Sequence, residues 1–340
     1  MLFVIALSTL MLSVSYASIL SRFAEWADKH SIVVPEDQSR FAHMLDNWIE
    51  NDRLIDSVNA QNLSYTLGHN QFSAMNRNEF ADYVRLHHMF EPYGVEEANG
   101  YSLRVGIPSS VDWRTQNAVT PVKNQGQCGS CWSFSTTGSL EGIYSIMNGG
   151  KLVSFSEQNL VDCDLIGSGG TSLGCNGGDM GSAMDWINKN GGLCTEADYP
   201  YVSGTTKQAG TCKKTCSKVS GSNIVKHVAV AANSDNAMMT VIASQPVSVA
   251  IEADQASFQL YKSGVFTGSC GTNLDHGVLL VGYGSMSGGD YYILKNSWAA
   301  SWGDQGYMYI GRGNDPATGK PYNGGKGQCG VLMQGVYPVL

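Results

Sequence analysis

Cys131 is the residue in this chain that is best placed for nucleophilic chemistry. The sequence contains nine cysteines, all at or after position 128, so eight can pair and one thiol is left over. Cys131 lies in the run QGQCGSCW (residues 125–132), at the predicted start of a helix that extends to about Met147. A helix N-terminus stabilises negative charge, and the thiolate is the nucleophilic form of cysteine. These features predict a reactive thiol at Cys131.

The run around Cys131 resembles the nucleophile motif of the papain family of cysteine proteases, C-G-[SA]-C-[WY]. Such an enzyme also needs a histidine, and five of the seven histidines precede residue 107, where the run IPSSVDWR resembles the family's mature N-terminus. His276 lies in NLDHGV (residues 273–278), which resembles the family's catalytic motif, whereas His227 alternates with apolar residues as in a structural strand. The resemblance implies that His276 activates Cys131 and protonates the leaving amine.

Two further motifs supply the remaining groups that this reaction needs. A catalytic histidine must be held in one orientation, and Asn296 matches the family's orienting asparagine, with Trp298 shielding the hydrogen bond from water. Gln125 matches the side-chain donor of the family's oxyanion hole, whose second donor is the backbone N–H of Cys131. Ala299 stands where the family commonly has glycine, and we expect this change to be tolerated.

The resemblance also implies a pocket for the second substrate residue before the cleaved bond. The residues expected to bind substrate are Gly177, Gly178, Asp179, Met180, Ala250, Leu274, Asp275 and Gln334. Three of them favour an apolar side chain (Met180, Ala250 and Leu274), whereas Asp179 at the rim and Gln334 at the base are polar. We expect an apolar preference with some tolerance for polar or basic residues. The paired histidines of a carboxydipeptidase occluding loop are missing after residue 107, which favours an endopeptidase.

Spacing alone does not decide how eight cysteines pair. The resemblance implies the bridges Cys128–Cys175, Cys163–Cys212 and Cys270–Cys329. This leaves Cys194 and Cys216, which we predict to pair with each other. The prediction that Cys131 is a free thiol depends on that fourth bridge.

The chain is predicted to be a precursor in three parts. An apolar run over residues 2–14, followed by small residues, predicts a signal peptide over residues 1–17. Residues 18–106 lack cysteine and are predicted to be an inhibitory propeptide, and residues 1–106 together carry a net charge of −6. Residues 107–340 carry a net charge of −2 and resemble the peptidase domain.

The propeptide assignment is supported by two motifs. Trp48, Asn51, Ile55 and Asn59 are spaced to line one face of a helix, which alone would indicate an ordinary amphipathic helix, and they resemble the second half of the long helix in the cathepsin L-type propeptide. The run GHNQFSA (residues 68–74) resembles a second propeptide motif but ends in alanine where the family has aspartate. The only N-x-[ST] glycosylation site, at Asn62, lies in the same segment.

Helices followed by strands predict an α+β fold for the peptidase domain. Ser130 is expected to cap the helix that begins at Cys131, whose buried stripe should include Leu140 and Met147, and residues 176–191 are predicted to form another helix. Strands are predicted at Val247–Ile251, Gly277–Tyr283, Tyr291–Leu294 and Tyr307–Ile310. The resemblance implies a papain-like fold with a helical lobe (about 117–218) and an antiparallel β-barrel lobe (about 219–340 plus the N-terminal strand).

Other functions are less compatible with the sequence. The chain has no basic patch for nucleic acid, and after the signal peptide it has no stretch apolar enough to span a membrane. A redox function of Cys128-x-x-Cys131 would need a βαβ pattern that is missing, and Cys212-x3-Cys216 lacks the second pair of a zinc site. A catalytically silent binding protein remains an alternative. We expect no cofactor or metal.

The expected partners and location follow from this interpretation. The protein should act as a monomer on protein and peptide substrates, with its own propeptide as inhibitor. It should enter the secretory pathway and reach a lysosome, a digestive vacuole or the extracellular space, where disulfides persist.

Overall fold

The structure is a computed structural model that describes residues 17–84 and 106–340. Nearly all of the predicted signal peptide, and most of the stretch in which the maturation cut is expected, lie outside the described residues. Residues 17–84, which comprise the last residue of the predicted signal peptide and most of the predicted propeptide, are called the prosegment below. Its elements are α1 (17–29), α2 (Gln38–Asn59), β1 (Tyr65–Leu67) and α3 (Arg77–Val84).

Helix α2 is the main element of the prosegment. It begins after Asp37, whose carboxylate accepts a hydrogen bond from the Arg40 amide at 2.9 Å and so satisfies one free N–H of the first turn. Trp48, Asn51 and Ile55 are buried on one face of α2, as their spacing predicted. Trp48 packs with Phe23 and other apolar side chains of α1 in a small separate core.

The helical lobe contains α4 (Cys131–Met147), α5 (Glu157–Cys163), α6 (Met180–Asn190) and α7 (Ser203–Thr206). Helix α4 is buried on almost every side because it lies between the other helices and the sheet. Its predicted one-sided stripe was therefore wrong at Met147, which is 64% exposed. The predicted side-chain cap was also wrong, because the Ser130 hydroxyl is hydrogen bonded to the Tyr201 hydroxyl at 2.7 Å.

The β lobe is built on a long sheet. Its elements are β2 (Val111–Asp112), β3 (Lys226–Ala229), α8 (Asp235–Ile242), β4 (Val247–Ile251), α9 (Ala256–Gln259), β5 (Tyr261–Phe266), β6 (His276–Met286), β7 (Gly289–Lys295), β8 (Tyr307–Gly311) and β9 (Gly335–Val339). The strand order is β1-β5-β8-β7-β6-β4-β9-β3, and β2 also pairs with β6. The pairs are antiparallel except for β5 with β8. The four predicted strands are confirmed, and β6 begins one residue earlier than predicted, at His276.

The two lobes have separate apolar cores. One lies among α4, α5 and α6, and the other lies on the sheet. The sheet core also contains Leu67, Phe72 and Phe80 of the prosegment, so the prosegment is packed into the β lobe. Within residues 17–84 and 106–340, no helix is long and apolar enough to cross a membrane.

Candidate active site

The start of α4 and the start of β6 bring Cys131 and His276 to the junction of the two lobes. The Gly277 amide donates to the Cys131 Sγ at 3.4 Å. A side chain at Gly277 would place its Cβ within 3.4 Å of Met180 and of the Trp132 backbone. Glycine after the histidine therefore allows the strand to approach the helix closely.

His276 is held by the end of the neighbouring strand β7. Its Nε2 lies 2.8 Å from the Asn296 Oδ1, and the Ser297 amide donates to the same oxygen at 2.8 Å. The Trp298 ring stacks on the imidazole with centroids 4.6 Å apart and covers it from solvent. Because Nε2 is engaged with Asn296, Nδ1 is the ring nitrogen that can exchange a proton with a thiol.

Gln125 is fixed by contacts from both lobes. Its Oε1 accepts from the Ser297 hydroxyl at 2.6 Å, and its Nε2 donates to the Cys128 carbonyl at 3.0 Å. The Tyr201 hydroxyl donates to the Gln125 carbonyl at 2.8 Å. Because Ser297 engages Oε1, the amide NH₂ group is turned towards Cys128 and the start of α4, as an oxyanion donor requires. Sequence reasoning missed the positioning contacts of Ser297 and Tyr201.

Burial disfavours the charged forms of both Cys131 and His276 in this closed form. It raises the pKa of the Cys131 thiol to about 11, against the lowering effect of the Gly277 amide. It also lowers the pKa of His276 to about 4, although the bond to Asn296 favours the protonated ring. Burial therefore favours the protonated thiol and the uncharged imidazole.

The prosegment covers the site from the β-lobe side. Phe72, Phe80 and Tyr83 surround Trp298, with ring centroids 5.3, 5.6 and 6.1 Å from it. The Gln71 amide donates to the Trp298 carbonyl at 2.6 Å. Burial raises the pKa of the Tyr83 hydroxyl, and the ionised forms of Tyr201 and Cys131 would raise it further, so this side chain lies close to the thiol.

Three of the expected pocket residues lie together. Met180 and Ala250 are buried in the helical core beside Trp132, and Leu274 packs against the same core. A Cβ at Gly178 would lie 2.6 Å from the Trp132 ring, so only glycine fits at that position. Gly177 has a φ of 110°, which glycine tolerates best.

The polar pocket residues have structural partners. Asp179 caps α6 by accepting from the Ser182 amide at 2.8 Å, which explains why this helix begins later than residue 176. The second oxygen of Asp179 accepts from the Gln334 amide at 3.2 Å, so the two polar departures are bonded to each other. The Asp275 Oδ1 accepts from the Ala253 amide at 2.7 Å, a contact that supports the loop before His276.

The remaining predicted residues are placed as follows. The structure joins Cys128–Cys175, Cys163–Cys212, Cys194–Cys216 and Cys270–Cys329, and Cys131 is the free cysteine of the described chain. Asn62 is exposed in the turn between α2 and β1. His227 lies on β3 and contacts Asp185 at 2.8 Å, away from the site. The described residues contain no cluster of histidine, cysteine and carboxylate side chains that could hold a metal.

Comparisons with known proteins match both parts of the chain. Residues 107–339 match the papain family cysteine protease model, and residues 23–80 match the cathepsin propeptide inhibitor domain. The probable cysteine protease RD21B of Arabidopsis thaliana is 44% identical over 306 residues, which cover 89% of this chain but 61% of that protein. The senescence-specific cysteine protease SAG39 of Oryza sativa subsp. japonica is 39% identical over 327 residues, covering 95% of this chain and 91% of that protein.

A solved structure extends the match to the complete arrangement. The proform of the ragweed pollen cysteine protease Amb a 11 superposes with a TM-score of 0.82 and 35% identity, covering 95% of this chain and 94% of that one. Because the match includes prosegment and peptidase domain together, it confirms the expected two-lobed α+β fold.

Proposed function

Because the chain belongs to the papain family of cysteine proteases and carries the family's inhibitory propeptide, we propose that its mature form is an endopeptidase that acts through Cys131, His276 and Asn296. One observation carries this proposal. His276 is fixed by Asn296 at 2.8 Å directly beside the free thiol of Cys131, whose Sγ accepts from the next backbone amide after His276.

The proposed reaction passes through an acyl-enzyme. The Cys131 thiolate attacks the peptide carbonyl, and the Gln125 side chain and the Cys131 amide stabilise the oxyanion. His276, as imidazolium, protonates the leaving amine. His276 then takes a proton from water, which attacks the thioester and releases the second product. Asn296 keeps the ring in one orientation throughout.

The zymogen must form the ion pair between the Cys131 thiolate and the His276 imidazolium before it can react. Burial favours the neutral thiol and the neutral imidazole in the closed form. Removal of the prosegment returns water to the cleft, which lowers the desolvation penalty on both charged forms. Activation should therefore lower the pKa of Cys131 and raise that of His276, so that the thiolate–imidazolium pair forms.

We propose that acidic pH promotes this activation. Residues 1–106 carry a net charge of −6, and we expect protonation of the prosegment carboxylates at low pH to loosen the prosegment. Two prosegment histidines act in the same direction. Burial lowers the pKa of His30 and of His69 below 6.5, so the unfolded prosegment binds more protons and the folded one loses stability as pH falls below that value.

The proposed substrate preference is an apolar residue at the second position before the cut. Met180, Ala250 and Leu274 supply apolar surface, and the Gln334 Oε1, which has no hydrogen-bond partner among the described residues, offers an acceptor to a polar or basic substrate group. Cleavage of a peptide library should favour apolar residues there and retain measurable activity with polar or basic ones. Complete rejection of polar side chains would contradict the second part.

The central test is covalent labelling of the acid-matured protein. An electrophilic thiol-protease inhibitor should label the enzyme and abolish cleavage of a fluorogenic peptide, and Cys131→Ala, matured by added active enzyme that is then removed, should lack both properties. A protein that matures normally but neither cleaves nor is labelled would instead be the silent homologue.

The location proposed for the enzyme is the secretory pathway. Four disulfides and a family propeptide fit an oxidising compartment. Activation at low pH favours a lysosome or digestive vacuole over the extracellular space. We further propose that the mature enzyme acts as a monomer on protein and peptide substrates, without a cofactor.

A further inference from the structure

A buried cluster of charged side chains lies behind the proposed active site, between the two lobes. The Lys123 ammonium contacts the Glu141 carboxylate at 3.1 Å and the Glu157 carboxylate at 2.7 Å. Thr120 donates to Glu141 at 2.6 Å and accepts from the Lys295 ammonium at 2.9 Å. The cluster thus connects α4 and α5 of the helical lobe to the end of β7 in the β lobe.

Lys295 is incompletely satisfied in this cluster. Its ammonium carries three N–H donors, and Thr120 is its hydrogen-bond acceptor within residues 17–84 and 106–340. Burial accordingly lowers the pKa of Lys295 to about 8, an effect that the nearby Lys123 adds to and that Glu141 and Glu157 oppose. An ammonium in this position needs further hydrogen-bond partners.

The next residue, Asn296, has a matching deficit. Its Oδ1 binds His276 and the Ser297 amide, but its Nδ2 is buried and has no partner among the described residues. Leaving a buried donor unsatisfied costs about 1–3 kcal/mol. The deficit matters because rotation of the amide by half a turn would replace the acceptor that faces His276 with a donor.

A small cavity brings the two deficits together. It has a volume of about 20 Å³, and Lys295 and Asn296 both line it, together with Glu141, Glu157 and Ser135. One water molecule needs roughly 10–15 Å³ and two to four polar partners. The cavity lining includes the donor groups of Lys295 and Asn296 and the carboxylates of Glu141 and Glu157, which suits the two lone pairs and two hydrogens of water.

We propose that this cavity holds one ordered water molecule, which accepts hydrogen bonds from Lys295 and Asn296 and so fixes the amide orientation of the catalytic asparagine. Lys295 is then a positioning residue that acts on His276 through the water and Asn296. Lys295 donates to Thr120, which in turn donates to Glu141 of the helical lobe. The position of Lys295, and with it the geometry of the site, therefore depends on how the two lobes are joined. This inference rests on the proposed role of Asn296.

A double-mutant cycle on the mature enzyme tests the positioning role. Lys295→Met should lower kcat about tenfold to a hundredfold with little change in KM, because the orientation of His276 is impaired. In an Asn296→Ala background the same substitution should cost about twofold or less, since the residue through which it acts is gone. Equal losses in both backgrounds, or no loss in the first, would overturn the proposal.

A matched control separates this effect from the loss of any buried lysine contact. Lys218 also donates one hydrogen bond from its ammonium, to Asn159 at 2.9 Å, and it does not line the cavity. Lys218→Met should leave kcat unchanged within about twofold.

Direct observation keeps the proposal testable if Lys295→Met does not fold. A high-resolution crystal structure of the unaltered mature enzyme should show a water within hydrogen-bond distance of both the Lys295 Nζ and the Asn296 Nδ2. Its absence would overturn the proposal. Inactivity of the unaltered enzyme would instead contradict the proposed function, so the two failures are distinguishable.

Discussion

The prosegment and the peptidase domain share an interface but are stabilised by different means. The prosegment lacks cysteine, and its separate core is small, with Trp48 and Phe23 at its centre. The peptidase domain has four disulfides and two large cores. Under the proposed acid activation, the peptidase domain must stay folded in the conditions that release its inhibitor. The difference therefore suggests that prosegment contacts decide when activity begins, whereas peptidase-domain contacts decide how much activity there is.

The largest effect is expected for Phe72→Ala in the prosegment. Phe72 is buried against Trp298 and Phe80, and its truncation should cost about 3–5 kcal/mol of docking. At neutral pH, the zymogen's Cys131 should be labelled by a small electrophile about a hundredfold faster or more. The kcat of the mature enzyme should be unchanged because the prosegment has left. A labelling rate equal to that of the unaltered zymogen would contradict the role given to this contact.

Gln125→Ala tests the contribution of a peptidase-domain residue to activity. Loss of one oxyanion donor should lower the kcat of the mature enzyme by about a hundredfold to a thousandfold, without loosening the prosegment. Gln127 is an exposed glutamine two residues away, and Gln127→Ala is the matched control, expected to retain full activity. If both variants were equally active, Gln125 would have no oxyanion role.

Removal of the Cys194–Cys216 bridge should weaken the peptidase domain alone. The bridge closes a loop with a sequence separation of 22, and replacing both residues with alanine should lower the free energy of unfolding by about 3 kcal/mol. Urea unfolding of the inhibitor-blocked mature enzyme measures this loss, and thiol titration before blocking should still find one free thiol. Unchanged stability would show that this bridge adds nothing.

His69→Phe should delay acid activation. His69 stacks on Trp48 at 4.4 Å, and burial lowers its pKa below 6.5, so protonation works against the folded prosegment. Phenylalanine can keep the stacking but cannot be protonated, and the midpoint of self-processing should shift to lower pH by about half a unit. The pH–rate profile of the mature enzyme should not move. A shift to higher pH would reverse the assigned direction.

The smallest effect is expected at Ala299. This residue has a φ of 60°, in the left-handed region that costs a non-glycine residue about 1–2 kcal/mol. Ala299→Gly should therefore raise the free energy of unfolding of the mature enzyme by about 1 kcal/mol. Thermal unfolding of the blocked enzyme provides the measurement, and a lower melting temperature would contradict the argument.

Residues with chemical roles were easier to predict than the residues that hold them. Gln125 and His276 stand in motifs that the proposed reaction needs, and the structure places Gln125 against Cys128 and the residue after His276 against Cys131. The Asp179–Gln334 hydrogen bond joins residues 155 positions apart, so no local sequence pattern predicts it. Ser297 lies between Asn296 and Trp298, but its bond to Gln125 becomes evident only when the lobes are assembled.

The helices also differ in how well their buried faces could be predicted from the sequence. The spacing of Trp48, Asn51 and Ile55 predicted the buried face of α2 because that helix has one buried side. Helix α4 is surrounded by other elements, so a one-sided pattern misjudged Met147. Ser130 has the residue type of a helix cap, but a tertiary contact with Tyr201 engages its hydroxyl instead.

The pairing of β1 with β5 has a consequence for the enzyme after maturation. When the prosegment leaves, β5 becomes an edge strand with unpaired backbone groups, a surface on which proteins can aggregate. The exposed charge of Lys262 and the left-handed conformation of Gly264 interrupt that edge. Gly264 also lets Ser64 approach closely before release, since a Cβ there would lie 2.3 Å from its carbonyl oxygen. Strand β5 is thus suited both to bind the prosegment and, after its release, to resist aggregation as an exposed edge.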